Sequence, residues 1–132
     1  MSELADEVWW ILSGLVTDSL GDYRRAVVEE VGMPFSRVRL LRRLAAGPLT
    51  LKALAYAATV DAPAATVSIN DLEERGLVIR AVSATSGREK VVSLTTEGRA
   101  VLHRVLAIRQ PAPASIARLS DDELEQLKAI LG

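Results

Sequence analysis

Residues 49–98 decide the fold of this chain. They read LTLKALA from Leu49, DAPAATVSINDLEERGLVIR from Asp61 and REKVVSLTTEG from Arg88. The first two segments carry apolar residues at helical spacing, and residues 77–82 and 90–94 are predicted strands joined by a loop that contains Gly87. Helix, helix, strand, loop and strand is the order of a winged helix-turn-helix, which lays its second helix in a DNA groove and its hairpin beside it. The pattern therefore predicts a DNA-binding protein that controls transcription.

Local start and stop signals predict the helices around this segment. Thr50, Asp61 and Thr95 are of the type that caps a helix N-terminus, and Ser120 with Glu123 has the spacing of a capping box. Helices are predicted at 3–16, about 23–31, 51–59, 62–75, 96–109 and 121–131. A further predicted helix carries Val38, Leu41, Leu44 and Ala45 on its buried side and is ended by Gly47-Pro48. Gly14 and Gly21 are expected to separate the first two.

The predicted fold class is mainly α with a small β-hairpin wing, in a single domain. Residues 33–99 form the winged helix-turn-helix, and residues 1–32 and 100–132 are predicted dimerisation helices. These terminal helices carry more apolar surface than one winged domain can cover, which predicts an obligate homodimer. The apolar candidates are Val8, Trp9 or Trp10, Ile11, Leu12, Leu15, Val105, Ile108, Leu124, Leu127 and Ile130.

Composition excludes several classes of function. The chain has no cysteine and one histidine, so it contains no disulfide, no thiol nucleophile and no His/Cys zinc site. No glycine-rich phosphate loop is present, and the paired acids at 29–30, 73–74 and 121–122 are sequence neighbours at predicted surfaces. We therefore expect no enzyme activity, no cofactor and no metal. An acidic start and short apolar runs predict a cytoplasmic protein without a membrane span.

The sequence resembles the MarR family of winged helix-turn-helix transcription regulators over nearly its whole length. The most specific pieces are LEERGLVIR at 72–80 and SLTTEGR at 93–99. The resemblance implies a homodimer with interlocked terminal helices, a palindromic double-stranded DNA operator and a repressor function. A two-fold dimer then requires half-sites about one helical turn, roughly 34 Å, apart.

The resemblance also assigns candidate DNA-binding residues. Residues 62–75 correspond to the recognition helix, and no charged residue lies between Ala62 and Asn70. Val67 stands where members of the family usually have an arginine, and Ser86 stands where they have the aspartate that orients the wing arginine, here Arg88. The candidates are Thr66, Ser68 and Asn70 for base edges, Ala64 and Val67 for a thymine methyl, Arg88 for the minor groove, and Arg80, Lys90, Arg42 and Lys52 for phosphates. Because the helix lacks an arginine for guanine, we expect an A·T-rich operator.

Aromatic residues suggest a small-molecule site, and two other functions remain open. Trp9, Trp10, Tyr23 and Phe35 are candidates for a pocket that binds a small phenolic or lipophilic effector, as the family commonly does. For the two tryptophans, packing at the dimer interface is the preferred interpretation and the pocket is the alternative. The uncharged recognition helix favours a winged-helix module that binds protein, or a ligand-binding dimer without specific DNA binding. The wing cations favour DNA.

Overall fold

The computed structural model describes residues 2–85 and 87–132. Ser86, which is expected to stand in place of the family's wing aspartate, lies outside the described residues. The helices are α1 (Glu3–Val31), α2 (Phe35–Arg43), α3 (Leu51–Ala57), α4 (Ala62–Glu74), α5 (Thr96–Leu106), α6 (Ala114–Ala117) and α7 (Asp121–Leu131). The strands are β1 (Leu49–Thr50), β2 (Val78–Val82) and β3 (Lys90–Leu94). The predicted mainly helical fold with a winged helix-turn-helix is confirmed.

The first helix corrects one prediction. α1 is a single helix of 29 residues, whereas the sequence suggested a break near Gly14 and Gly21. A glycine inside a helix costs only about 1 kcal/mol, and neither position is followed by a proline that would end the helix. α5 ends at Leu106, three residues before the expected end, and the short α6 begins directly after Pro113.

The wing hairpin belongs to a three-stranded antiparallel sheet with the order β1-β3-β2, in which β3 is central. β2 and β3 form the predicted hairpin, in which Val78 lies opposite Leu94 and Val82 lies opposite Lys90. β1 was not predicted. It has two residues and pairs with β3, so it ties the start of α3 to the hairpin. Gly87 has a φ of +67°, which is the conformation expected for it in the loop.

The predicted N-caps are confirmed by side-chain hydrogen bonds. Thr50 Oγ1 accepts from the Ala53 amide, Asp61 Oδ1 from Ala64 and Thr95 Oγ1 from Gly98. The capping box is complete, since Ser120 and Glu123 each accept a hydrogen bond from the other's backbone amide. These caps fix where the helices begin, and hence where α3 and α4 present their first turns.

The core holds the winged part together. Its fully buried side chains come from α1, α2, α3, α4, β2, β3 and α5, and the larger ones are Val27, Val38, Leu40, Leu41, Leu44, Leu54, Ile69, Leu72, Val78, Val92 and Val105. Val105 is therefore unavailable to a dimer interface, contrary to the sequence-based expectation. Ala45 is exposed and lies beyond the end of α2, so it does not belong to the buried side of that helix.

The chain divides into two compact units. One comprises residues up to Tyr23 together with Arg109–Gly132, and the other comprises Arg24–Ile108 and contains the whole helix-turn-helix and wing. Among the described residues of the first unit, 2–23 and 109–132, no side chain is buried. No helix in the described part of the chain is long and apolar enough to cross a membrane.

Candidate nucleic-acid interface

The helix α4 has one buried face and one exposed face. Ala65, Ser68, Ile69 and Leu72 are buried, and they recur every three or four residues. Successive residues of an α-helix are turned by about 100°, so the opposite face carries Pro63, Val67, Asn70 and Glu74. All four are exposed. We call Pro63, Val67 and Asn70 the outward face of α4; these three are uncharged, and the acid Glu74 follows them at the end of the helix.

Ser68 does not belong to the outward face. Only 7% of it is exposed, and its Oγ accepts a hydrogen bond of 2.8 Å from Arg37 Nη1. This placement corrects the expectation that Ser68 reads bases. Its neighbour Thr66 is half-buried and donates its hydroxyl to the Ala62 carbonyl at 3.0 Å, while Ala64 is exposed in the first turn.

Asp71 fixes α4 against α2. Its Oδ2 accepts from Arg37 Nε at 2.9 Å and from Arg75 Nε at 3.1 Å. The hydrogen bond from Arg37 is the main reason why the pKa of the Asp71 carboxyl lies below its usual value. Because Arg37 also donates to Ser68, one guanidinium of α2 is bonded to two residues of α4.

The other arginines of α2 also make internal contacts. Arg39 Nη2 donates to the Ala58 carbonyl at 3.1 Å and to Thr59 Oγ1 at 2.8 Å, at the turn between α3 and α4. Arg42 is half-buried, with its guanidinium carbon 5.9 Å from the centre of the Phe35 ring. Arg42, a predicted phosphate contact, and its neighbour Arg39 thus both make contacts within the winged unit.

Arg80 connects the wing to α4. It lies on β2 on the same side as buried Val78, because residues two apart in a strand share a face. Its Nη2 donates to Glu73 Oε1 at 3.0 Å and to Asn70 Oδ1 at 2.7 Å, and this pairing is the main reason why the pKa of Glu73 is lowered. Arg80, which was predicted to contact phosphate, is therefore already paired with an acid of α4. Sequence reasoning missed this because Glu73 and Asn70, seven and ten residues before Arg80, meet it only when the wing strand folds back along α4.

The tip of the wing carries the remaining predicted cations. Arg88 is exposed in the loop between the strands, and Lys90 is exposed at the start of β3. The loop is closed by hydrogen bonds from the Ser83 amide to the Glu89 carbonyl at 2.7 Å and from the Gly87 amide to the Ser83 carbonyl at 3.1 Å. The hairpin therefore presents both cations near its end.

The helix α3 presents a second exposed strip. Lys52 and Tyr56 are four residues apart and both exposed, so they share one side of the helix. Tyr56 is 88% exposed, which is unusual for a tyrosine, and it was not singled out in the sequence. An isolated aromatic residue in a short helix gives no periodic signal by which it could have been found.

The four candidate pocket aromatics have different surroundings. Trp9 and Trp10 are 70% and 81% exposed and line separate shallow depressions, one with Val8 and the other with Glu7 and Ile11. Phe35 belongs to the second unit and packs against the guanidinium of Arg24, with a distance of 5.2 Å to the ring centre. That these residues and Tyr23 line one effector pocket stays a prediction.

Comparison with known proteins identifies the family. The sequence profile of the MarR family matches residues 31–89. An HTH-type transcriptional repressor of Mycobacterium tuberculosis is 32% identical over 108 residues, which cover 80% of this chain and 78% of that protein. The chain belongs to the MarR family. The homoprotocatechuate degradative operon repressor of Escherichia coli is 30% identical over 111 residues, covering 83% and 75% of the two chains.

Solved structures of MarR-like proteins share the fold. MepR, a transcription regulator of the Staphylococcus aureus multidrug efflux pump MepA, superposes with a TM-score of 0.74 at 23% identity, covering 92% of this chain and 91% of its own. A MepR variant bound to an oligodeoxyribonucleotide gives a TM-score of 0.65 at 23% identity, covering 94% and 92%. A MarR-family regulator from Silicibacter pomeroyi gives 0.67 at 26% identity, covering 89% and 82%.

Membership of the MarR family confirms two expectations. The chain is a DNA-binding transcription regulator, and it is not an enzyme. Among residues 2–85 and 87–132, moreover, no three histidine, aspartate or glutamate side chains lie close enough together to hold a metal ion.

Proposed function

We propose that the protein is a homodimeric transcription repressor that binds a palindromic, A·T-rich operator in the cytoplasm. The observation that carries this proposal is the pair of exposed cations on the wing, beside the exposed face of α4, in a MarR-family chain. A helix enters the major groove by its exposed side, and a hairpin with cations at its tip suits the adjacent minor groove and phosphates. The repressor names of the relatives support the direction of control.

Exposed apolar residues at the chain ends support the homodimer. On α1 and α7, side chains that are between 47% and 81% exposed include Leu4, Val8, Trp9, Trp10, Ile11, Val16, Ile130 and Leu131. Covering one such side chain stabilises an assembly by about 1.5–3 kcal/mol. A few of them therefore suffice to make the isolated protomer unfavourable. A second copy of the chain covers these faces by two-fold symmetry, which also gives the operator its palindrome.

The proposed contacts divide by role. Val67 and Asn70, with Ala64 and Thr66 beside them, face bases in the major groove. Arg88 enters or borders the minor groove, and Lys90 and Lys52 contact phosphates. Arg80 holds Asn70 in place, so it acts on bases through that residue.

A small lipophilic or phenolic ligand is proposed to modulate DNA binding. The exposed tryptophans of α1 offer the aromatic surface that such a ligand needs. The test is a change in operator affinity when small phenolic acids are added to the protein–DNA complex.

Two measurements test the central proposal. Fluorescence anisotropy with the DNA upstream of the protein's own gene should show binding that survives excess unrelated duplex. Light scattering at micromolar concentration should give twice the protomer mass of 14.2 kDa. A stable protomer would remove the two-groove arrangement, and binding abolished by unrelated duplex would remove sequence-specific control.

A further inference from the structure

We propose that the outward face of α4 recognises a thymine in each half-site. In this arrangement Val67 contacts the thymine C5 methyl group, and Asn70 donates a hydrogen bond from Nδ2 to the thymine O4. Arg80 is the positioning residue that fixes the Asn70 amide. The inference rests on the proposed function, since it requires that α4 lie in the major groove.

Val67 supplies the apolar half of the contact. It is 62% exposed at the centre of the outward face, and its neighbours Pro63 and Ala64 extend the apolar strip towards the start of α4. The thymine methyl is the apolar group that the major-groove edge of a base pair offers. A valine exposed on a groove-facing helix is therefore matched by thymine better than by any other base.

The contact with Arg80 determines which way the Asn70 amide points. Arginine has donors and no acceptor, so the atom of Asn70 that lies 2.7 Å from Arg80 Nη2 must be the carbonyl oxygen. The Nδ2 amino group is then directed away from the guanidinium. Arg80 is itself held by Glu73 through bonds of 3.0 and 3.4 Å, which limits rotation of the cluster. Asn70 consequently offers a donor to the groove.

A donor beside an apolar group matches the edge of thymine. Val67 and Asn70 are three residues apart on one helix face, with about 5–6 Å between their Cβ atoms. Thymine presents the O4 acceptor and the C5 methyl side by side, whereas cytosine presents an amino donor that would oppose the Asn70 donor. Guanine offers acceptors without a methyl group. The side-chain pair thus discriminates thymine from both.

Replacement of thymine by deoxyuridine tests the methyl contact. Deoxyuridine keeps O4 and base pairing and lacks only the methyl group. Exchange of the contacted thymine in one half-site should weaken operator binding about fourfold, which is the effect of removing one methyl group from contact. Exchange in both half-sites should weaken it about fifteenfold. Val67→Ala should bind the thymine and deoxyuridine operators equally. Ile79→Ala is the matched control, because Ile79 is also an exposed β-branched residue, 53% exposed, and lies on the wing strand.

Selection from a randomised operator tests the donor. Asn70→Asp removes the amino donor and leaves acceptors, so the preference at the same position should change from thymine to cytosine. Arg80→Met should leave the melting temperature within a few degrees but reduce the preference for thymine at that position. A loss of affinity without any change in base preference would assign Arg80 a merely structural role and overturn its part in the proposal.

The outcomes separate the inference from the function on which it rests. If the wild-type protein binds its operator specifically and no deoxyuridine exchange weakens binding, thymine recognition by Val67 is refuted and the repressor function stands. If no DNA is bound specifically, the proposed function fails and the inference fails with it. Equal deoxyuridine sensitivity of wild type and Val67→Ala would also refute it, since another residue must then contact the methyl group.

Discussion

Replacement of Gly98 by alanine should destabilise the protein through a single added carbon. Gly98 is in the first turn of α5, and a Cβ there would lie 2.0 Å from the Leu77 carbonyl oxygen, 3.0 Å from its carbonyl carbon and 3.3 Å from Leu94 Cδ2. The nearest atoms belong to the backbone and cannot rotate away. This contact explains in physical terms why a glycine stands in the SLTTEGR segment.

The size of the effect follows from what must move. Thr95 donates its amide to the Leu77 carbonyl at 3.0 Å and its hydroxyl to the Gly76 carbonyl at 2.6 Å. Separating α5 from this backbone weakens both bonds, at about 1 kcal/mol each, and adds an overpacking cost of about 1–3 kcal/mol. The better helix propensity of alanine returns about 1 kcal/mol. We expect a net loss of about 2–4 kcal/mol and a melting temperature lower by roughly 8–16 °C.

Circular dichroism melting at one fixed protomer concentration measures this loss. Gly21→Ala is the matched control, because Gly21 is also helical and its added Cβ would meet nothing within 4 Å beyond the backbone of its own helix. That variant should be more stable by about 0.5–1 kcal/mol. If Gly98→Ala melts at or above the wild-type temperature, the close approach of α5 to Leu77 is not what holds these segments together.

Two further predictions concern charge. The pKa of Asp71 is lowered by its hydrogen bond with Arg37, so the ionised carboxylate stabilises the fold above pH 3.8, the ordinary value, and this contribution is lost as the pH falls through the folded-state pKa. Urea unfolding curves of the wild type and of Asp71→Asn should therefore converge as the pH falls below 3.8. A constant separation between the two curves would contradict this prediction. Arg88→Ala should weaken operator binding and leave the melting temperature unchanged; if its affinity equals that of the wild type, the proposed contact of Arg88 with DNA is refuted. Lys90→Ala should reduce the slope of log affinity against log salt concentration by about one unit per wing.

The sequence predicted those features that depend on neighbouring residues. The caps at Thr50, Asp61 and Thr95 were found because a cap acts on an amide three residues away. The hairpin and the buried face of α4 followed from periodicities that span a few residues. The uncharged stretch of α4 was visible for the same reason, because it is a property of contiguous residues.

Features that depend on distant partners were not predicted. Ser68 was assigned to base contact, since its partner Arg37 is 31 residues away and nothing local shows that the hydroxyl is taken. The pairing of Arg80 with Glu73 requires the wing to fold back on α4. β1 forms only because β3 lies beside it, and two residues carry no periodic signal. The continuity of α1 was missed because glycine was treated as a break, although its cost there is small.

The neutrality of the outward face of α4 has a kinetic consequence. Arg37 and Arg80 are paired with Asp71 and Glu73, and the whole chain has a formal net charge of −1, so the protein attracts the DNA backbone weakly from a distance. Because steering is left mainly to the wing cations Arg88 and Lys90, we expect association near the roughly 10⁵–10⁶ M⁻¹s⁻¹ of a weakly steered encounter, and only brief sliding along unrelated DNA. Occupancy of an operator then depends chiefly on the dissociation rate of the bound protein. We therefore expect differences in affinity between operator sequences to arise mainly from differences in residence time.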